Sequence, residues 1–124
     1  MSERVTNWID AYRTAWLSND ESDIRALFTD DAVYEFRPDD PEAPRGADEI
    51  VAGWLRRADG PDDTTWEWHP VAEEGEVATI QGVTVYDAPT MQTTVDNLWV
   101  ITFAPDGRAL QFTEWYMERK KDNP

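Results

Sequence analysis

Apolar residues recur every three to four positions at the start of the chain, where Val5, Trp8, Ile9, Tyr12 and Trp16 share one side of a helix. Asp20 followed by Asp23 reads as a capping pair, and Ile24, Leu27 and Phe28 supply the stripe of a short second helix. The period then falls to two. AVYEFR (32–37) alternates as a strand with Tyr34 and Phe36 on one side, and PDDPEAP (38–44), with three prolines, is a loop. From Gly46 onward, Ala47, Ile50, Val51, Trp54 and Leu55 predict a third helix, stopped by Asp59-Gly60-Pro61.

The remainder alternates. TTWEWHPV (64–71), EVATIQGVTVY (76–86), TTVDNLWVITF (93–103) and ALQFTEWYM (109–117) read as strands separated by turn residues. Glu74-Gly75 and Ala104-Pro105-Asp106-Gly107 are hairpin turns. Helix, helix, strand, helix and four strands joined by short turns imply an α+β fold built on an antiparallel meander. No repeat, low-complexity tract or linker divides the chain, so residues 1–124 are expected to form a single domain.

The last two strands are apolar on both faces. One face of the fourth carries Val95, Asn97, Trp99, Ile101 and Phe103, and the other carries Leu98 and Val100. In the fifth, Leu110, Phe112, Glu114 and Tyr116 alternate with Trp115 and Met117. Three helices cover only one side of such a sheet. The other side calls for a partner, and a homodimer packed sheet to sheet is the expectation.

Composition narrows the function. Twenty-six acidic against eleven basic residues give a formal charge of −15, a field that repels phosphate backbones and anionic lipid. Nucleic acid and membrane surfaces are therefore not expected as partners. The chain has no cysteine, which excludes disulfides, thiolate metal sites and a cysteine nucleophile; its one histidine, His69, excludes multi-histidine metal sites. The N-terminal MSERVTNWID is charged and has no apolar run, and no stretch is apolar for the ~20 residues of a membrane span, so a cytoplasmic location is expected. The absence of a glycine-rich phosphate loop implies no cofactor.

The order of elements, with IRALFTDDAVYEF (24–36), PRGADEIVAGWL (44–55) and APDGRALQFTEWYM (104–117), resembles the SnoaL-like, or nuclear-transport-factor-2-like, superfamily over nearly the whole chain. The FTEWYMER ending (112–119) is similar to that of a bacterial subgroup of nuclear transport factor 2 family proteins. The resemblance implies a cone-shaped curved antiparallel sheet with three N-terminal helices on its concave face, a cystatin-like roll that is commonly dimeric. Members include ketosteroid isomerases, polyketide cyclases, epoxide hydrolases, dehydratases and non-catalytic binding or scaffold domains, so the fold leaves the chemistry open.

The ketosteroid isomerase pattern can be laid onto this chain. A gapless match from Ala11 to Phe28 places Tyr12 at that family's oxyanion-holding tyrosine, whereas Phe36 and Trp99 stand where it carries two aspartates. Steroid isomerisation by that mechanism is therefore not expected. The paired histidines of the dehydratases and the Asp-Arg-Asp set of the epoxide hydrolases find no match either.

Among polar candidates, Glu114 shares the face of Leu110, Phe112 and Tyr116. Among apolar groups a carboxylate becomes a base or hydrogen-bond acceptor, unless it pairs with an arginine such as Arg45 or sits at an open rim. Tyr12 either donates its hydroxyl to a ligand carbonyl or bonds backbone while its ring fills the core. Asn97 shares the inward face of Trp99 and offers donor and acceptor. His69 lies with Glu67 and Val71, opposite Trp66 and Trp68, and is read as either a ligand contact or a structural residue. Asp96 has the opposite parity to Trp99 and faces the dimer side or solvent. Phe36, Trp54, Trp99, Phe112 and Tyr116 form an apolar wall or fill the core. Three readings follow: a binder of a small apolar or aromatic metabolite; a cofactor-free isomerase, cyclase or lyase in which Glu114 carries a proton and Tyr12 stabilises an oxyanion; and a dimeric interaction module with a filled cone.

Overall fold

The computed structural model describes residues 3–56, 64–88 and 91–119. Three helices, α1 (Glu3–Ser18), α2 (Glu21–Arg25) and α3 (Ala47–Arg56), precede or interrupt five strands: β1 (Phe28–Glu35), β2 (Thr64–Glu74), β3 (Val77–Ala88), β4 (Met91–Phe103) and β5 (Ala109–Glu118). The strands form one sheet in the order β1-β5-β4-β3-β2. The stop expected for the third helix at Asp59-Gly60-Pro61 lies outside the described residues.

The stripe of α1 buries Val5, Trp8, Ile9 and Tyr12 as expected, with Ala15 fully buried in place of Trp16, which is only partly covered. Asn19, with φ 51°, ends the helix by donating its backbone N–H to the Ala15 carbonyl at 2.8 Å. Asp20 then caps α2, its Oδ1 accepting from the backbone N–H of Ser22 (2.9 Å) and Asp23 (3.3 Å). The capping pair closes through an intermediary: the Ser18 hydroxyl donates to Asp23 Oδ2 at 2.7 Å and accepts from the Asp20 N–H at 3.1 Å.

The second helix is shorter than its apolar spacing implied. Ile24 belongs to it, but Phe28 opens β1, opposite Ala109 of β5. The Leu27 carbonyl is taken up by tertiary partners, the Trp8 indole N–H at 3.0 Å and the Ala109 N–H at 2.7 Å, so the helix cannot run on.

β2 to β5 form the expected antiparallel meander. Its two predicted turns are in place, Gly75 (φ 59°) between β2 and β3 and Gly107 (φ 89°) between β4 and β5. The expectation of a wholly antiparallel sheet fails at one edge, where β1 pairs with β5 in parallel. Chain order alone could not supply that pairing. The strand leaves toward α3 and returns at the opposite edge as β2, so β1 finds its partner across the sequence.

Alternation also misplaces part of β5. Phe103 pairs with Ala109 and Thr102 with Gln111, a bulge that leaves Leu110 without an opposite residue. Ala109 points inward, fully buried, and Leu110 is 40 % exposed, outside the inner face on which strict alternation put it.

The core lies between α1 and the inner face of the sheet. Trp8 is at its centre, with ring centroids 5.4–6.4 Å from those of Tyr12, Phe28, Trp99, Phe103 and Phe112. Near the start of α1, Arg4 holds the β2–β3 turn, bonding Glu73 at 2.6 Å and the Gly75 carbonyl at 2.8 Å, with its guanidinium over the Phe103 ring. Trp8→Ala removes this central ring together with its hydrogen bond to Leu27. It is expected to lower the free energy of unfolding by about 3–5 kcal/mol in a urea titration.

Candidate functional site

Away from the Trp8 cluster the inner face opens into a cavity of about 450 Å³. Nine of its fifteen lining residues are aromatic: Tyr12 and Trp16 of α1, Tyr34 of β1, Phe36 just beyond it, Trp54 of α3, Trp66 and Trp68 of β2, Tyr86 of β3 and Trp99 of β4. Asn19, Pro44, Ile50, Thr84, Asn97 and Glu114 complete it.

The helix period explains the α1 contribution, since Tyr12 and Trp16 stand one and two turns beyond Trp8 on the buried stripe. Asn19, at the helix end, accepts a hydrogen bond from the Trp54 indole at 3.1 Å and so fixes a ring of α3 in the wall. In β2, Trp66 and Trp68 share the inner face and stack with centroids 3.5 Å apart. The Trp68 indole lies across Gly82, where a Cβ would overlap its Cδ1. Only glycine lets this ring cross β3.

Glu114 is opposite Trp99 in the β4–β5 ladder, and Asn97 pairs with the next inward position. One carboxylate oxygen, Oε2, accepts from Asn97 Nδ2 at 2.8 Å and from Trp99 Nε1 at 3.1 Å. The Thr84 hydroxyl donates to Asn97 Oδ1 at 2.8 Å, which sets the amide with its NH₂ toward the carboxylate. A polar relay therefore crosses three strands, from β3 to β5. Burial pushes the Glu114 carboxyl above its ordinary value, and the Trp99 and Asn97 donors offset this only in part. Among the described residues the other oxygen, Oε1, has no hydrogen-bond partner, and no arginine pairs with the group.

The Tyr12 ring lies 4.6–5.1 Å from those of Trp54, Trp68 and Trp99, centroid to centroid. Its hydroxyl is 3.5 Å from that of Tyr34, a long contact. Burial first, then its nearness to Tyr34 and Glu114, raises its pKa well above the usual phenol value. Tyr12 therefore stays protonated and serves as a donor, not a base.

The structure gathers Tyr12, Phe36, Trp54, Asn97, Trp99 and Glu114 around one cavity and leaves three candidates outside it. His69 pairs with Gln81 and projects on the side of β2 opposite Trp66 and Trp68, away from the cavity. Phe112 is fully buried behind the wall, 4.5 Å from the Tyr34 ring centroid and 5.0 Å from that of Trp99. Tyr116 has inward parity but stands one pair beyond Glu114 toward the strand end, 57 % exposed. Alternation assigns a face and says nothing of depth. The sequence reading missed Trp16, Asn19, Tyr34, Trp66, Trp68, Thr84 and Tyr86; for Trp16, Trp66 and Trp68 the spacing alone was a usable signal. Among the described residues no group of three or more His, Asp or Glu side chains is placed to hold a metal ion.

A profile of the SnoaL-like domain matches residues 9–112, most of the chain. The chain belongs to the SnoaL-like domain family. No curated protein matches it in sequence. Solved structures share the fold. An NTF-2-like protein of unknown function from Burkholderia xenovorans superposes with a TM-score of 0.73 at 16 % identity, over 98 % of this chain and 88 % of that one. A protein of unknown function with a cystatin-like fold from Methylobium petroleophilum gives 0.73 at 18 %, over 98 % and 80 %. A ketosteroid isomerase-like protein from Erwinia carotovora gives 0.64 at 21 %, over 90 % and 92 %. At these identities the likeness is one of fold. On this SnoaL-like scaffold the three positions carried over from the isomerase pattern, Tyr12, Phe36 and Trp99, all line the cavity, two of them as rings in place of carboxylates.

The Gly82–Trp68 contact is testable. Gly82→Ala is expected to displace the Trp68 indole, at a cost of about 1–3 kcal/mol in stability. Loss of the circular-dichroism couplet of the stacked Trp66 and Trp68 rings would report the displacement.

Proposed function

We propose that this SnoaL-like protein binds a small, largely apolar or aromatic molecule in the ring-lined cavity, with Glu114 as its polar anchor. One observation carries the reading: a carboxylate with one oxygen tied by Asn97 and Trp99 keeps its other oxygen unpaired, among the described residues, in a cavity walled mostly by rings. A ligand able to donate to that oxygen gains a charge-assisted hydrogen bond with a carboxylate already held by two donors. The open volume argues against an interaction module with a filled cone.

A second reading has one specific support. Tyr12, held protonated, and Glu114, with its proton affinity raised, line the same cavity, the pairing that cofactor-free isomerases, cyclases or lyases need to stabilise an oxyanion and move a proton.

Screening small aromatic acids, phenols, lactones and amines by tryptophan emission is expected to find a binder, because five of the seven tryptophans line the cavity. Glu114→Gln keeps the shape and removes the charge, and should weaken that binder by about 1–3 kcal/mol. Unchanged affinity in a folded Glu114→Gln protein would remove Glu114 from the site.

We further propose a homodimer through the outer face of the sheet. Leu98 and Trp115 are cross-strand partners there, Trp115 is 41 % and Met117 69 % exposed, and Val85 adds to the apolar surface. Light scattering is expected to give twice the chain mass at micromolar concentration, and Trp115→Glu to give monomer or aggregate. A monomeric wild type would overturn the dimer.

A further inference from the structure

The cavity has a one-sided electrostatic character. Among the described residues lining it, Glu114 is the one carboxylate, and there is no lysine or arginine. Five indoles, Trp16, Trp54, Trp66, Trp68 and Trp99, make most of its wall. An indole face is the negative end of the ring quadrupole and attracts a cation placed over it. The Trp66 ring, stacked on Trp68, is already taken in this way by the Arg13 guanidinium, whose carbon lies 4.3 Å from its centroid, which leaves the other indoles to a ligand. The chain as a whole, at −15, adds a field of the same sign. An anion would meet the carboxylate with no lysine or arginine among the described lining residues to compensate it, and a neutral molecule would leave the carboxylate unneutralised.

We propose that the ligand of this cavity is an organic cation, an amine or quaternary ammonium compound with an apolar or aromatic body, its charged head against Glu114 among the indoles. The proposal rests on the small-molecule reading above and narrows its class. The two N–H donors on Oε2 suit the ionised carboxylate and hold it still, so that Oε1 meets the incoming head without rearrangement. The surrounding rings lower the local polarity, which strengthens both the ion pair and the cation–π contacts.

The test uses two ligands of one shape that differ in charge, (4-hydroxyphenyl)trimethylammonium and 4-tert-butylphenol, titrated calorimetrically into the wild-type protein. The cation is expected to bind about tenfold tighter or more. Its head does not titrate and its phenol ionises only above neutral pH, so pH dependence in the acidic range belongs to the protein. The carboxylate accepts the cation only when ionised, so affinity should rise as pH climbs through the raised Glu114 value and level off above it. The other titratable groups facing the cavity are the phenols Tyr12 of α1, Tyr34 of β1 and Tyr86 of β3, and burial holds that of Tyr12 well above the usual phenol value. Glu114→Gln should abolish both the preference for the cation and its pH dependence. If that variant does not fold, the wild-type pH profile decides, and a flat profile overturns the proposal. Equal binding of the pair, or tighter binding of the phenol, overturns the cationic class and leaves the small-molecule reading standing. Binding of neither at millimolar concentration overturns both.

Discussion

Leu27 offers its carbonyl oxygen to two donors from distant parts of the chain, the Trp8 indole N–H at 3.0 Å and the Ala109 backbone N–H at 2.7 Å. One donor belongs to α1 and the other to the first residue of β5, so the helix and the parallel edge pair are located against each other at one atom. The five aromatic neighbours of Trp8 hold that point in an apolar, water-poor surrounding where a lost hydrogen bond would not be replaced. The rest follows by helical geometry. Tyr12 and Trp16 lie one and two turns further along the same stripe, which brings them over β2 and β4 as cavity wall. If α1 slid along the sheet, the Leu27 contact would be lost and the wall would come apart with it.

Two carboxylates show how the sheet separates structural from site chemistry. Glu35, on the outer face, is buried, which alone would raise its pKa, but hydrogen bonds from Gln111 and Thr113 at 2.8 Å each and from the backbone of Asp39 and Asp40 outweigh this and hold it below the usual value. It ties β1 to β5 and to the loop that leads to Pro44 at the cavity wall. Glu114, one residue beyond Thr113 and on the other face, receives two donors on a single oxygen, and burial prevails. The number and placement of donors therefore decide which acid is locked and which is left open to a ligand.

The ring-rich wall gives this family member a character that its fold does not dictate. Nine rings line the cavity, and its one carboxylate among the described lining residues enters from β5. Trp99 is both wall and donor, its N–H directed at Glu114. Asn97 and Thr84 support the Glu114 carboxylate from β4 and β3.

The local periods of the chain were enough to determine its element order, the buried stripe of α1, the meander from β2 to β5, both glycine-containing turns and the inward parity of Asn97, Trp99 and Glu114. These depend on spacing and backbone conformation, which are properties of neighbouring residues. Tertiary structure decided the rest. The parallel β1–β5 pair, the early start of β1 at Phe28 and the depth that separates Phe112 and Tyr116 from the cavity all rest on contacts between residues far apart in sequence. The bulge at Leu110 makes the point most sharply. With Phe103 opposite Ala109, an unbroken ladder would set Thr113 against Trp99 and turn Glu114 to the outer face. One extra residue lets Ala109 as well as Phe112 and Glu114 face inward, and the alternation that placed Glu114 correctly put Leu110 inside with it, because a register shift is settled by the packing of both strands at once.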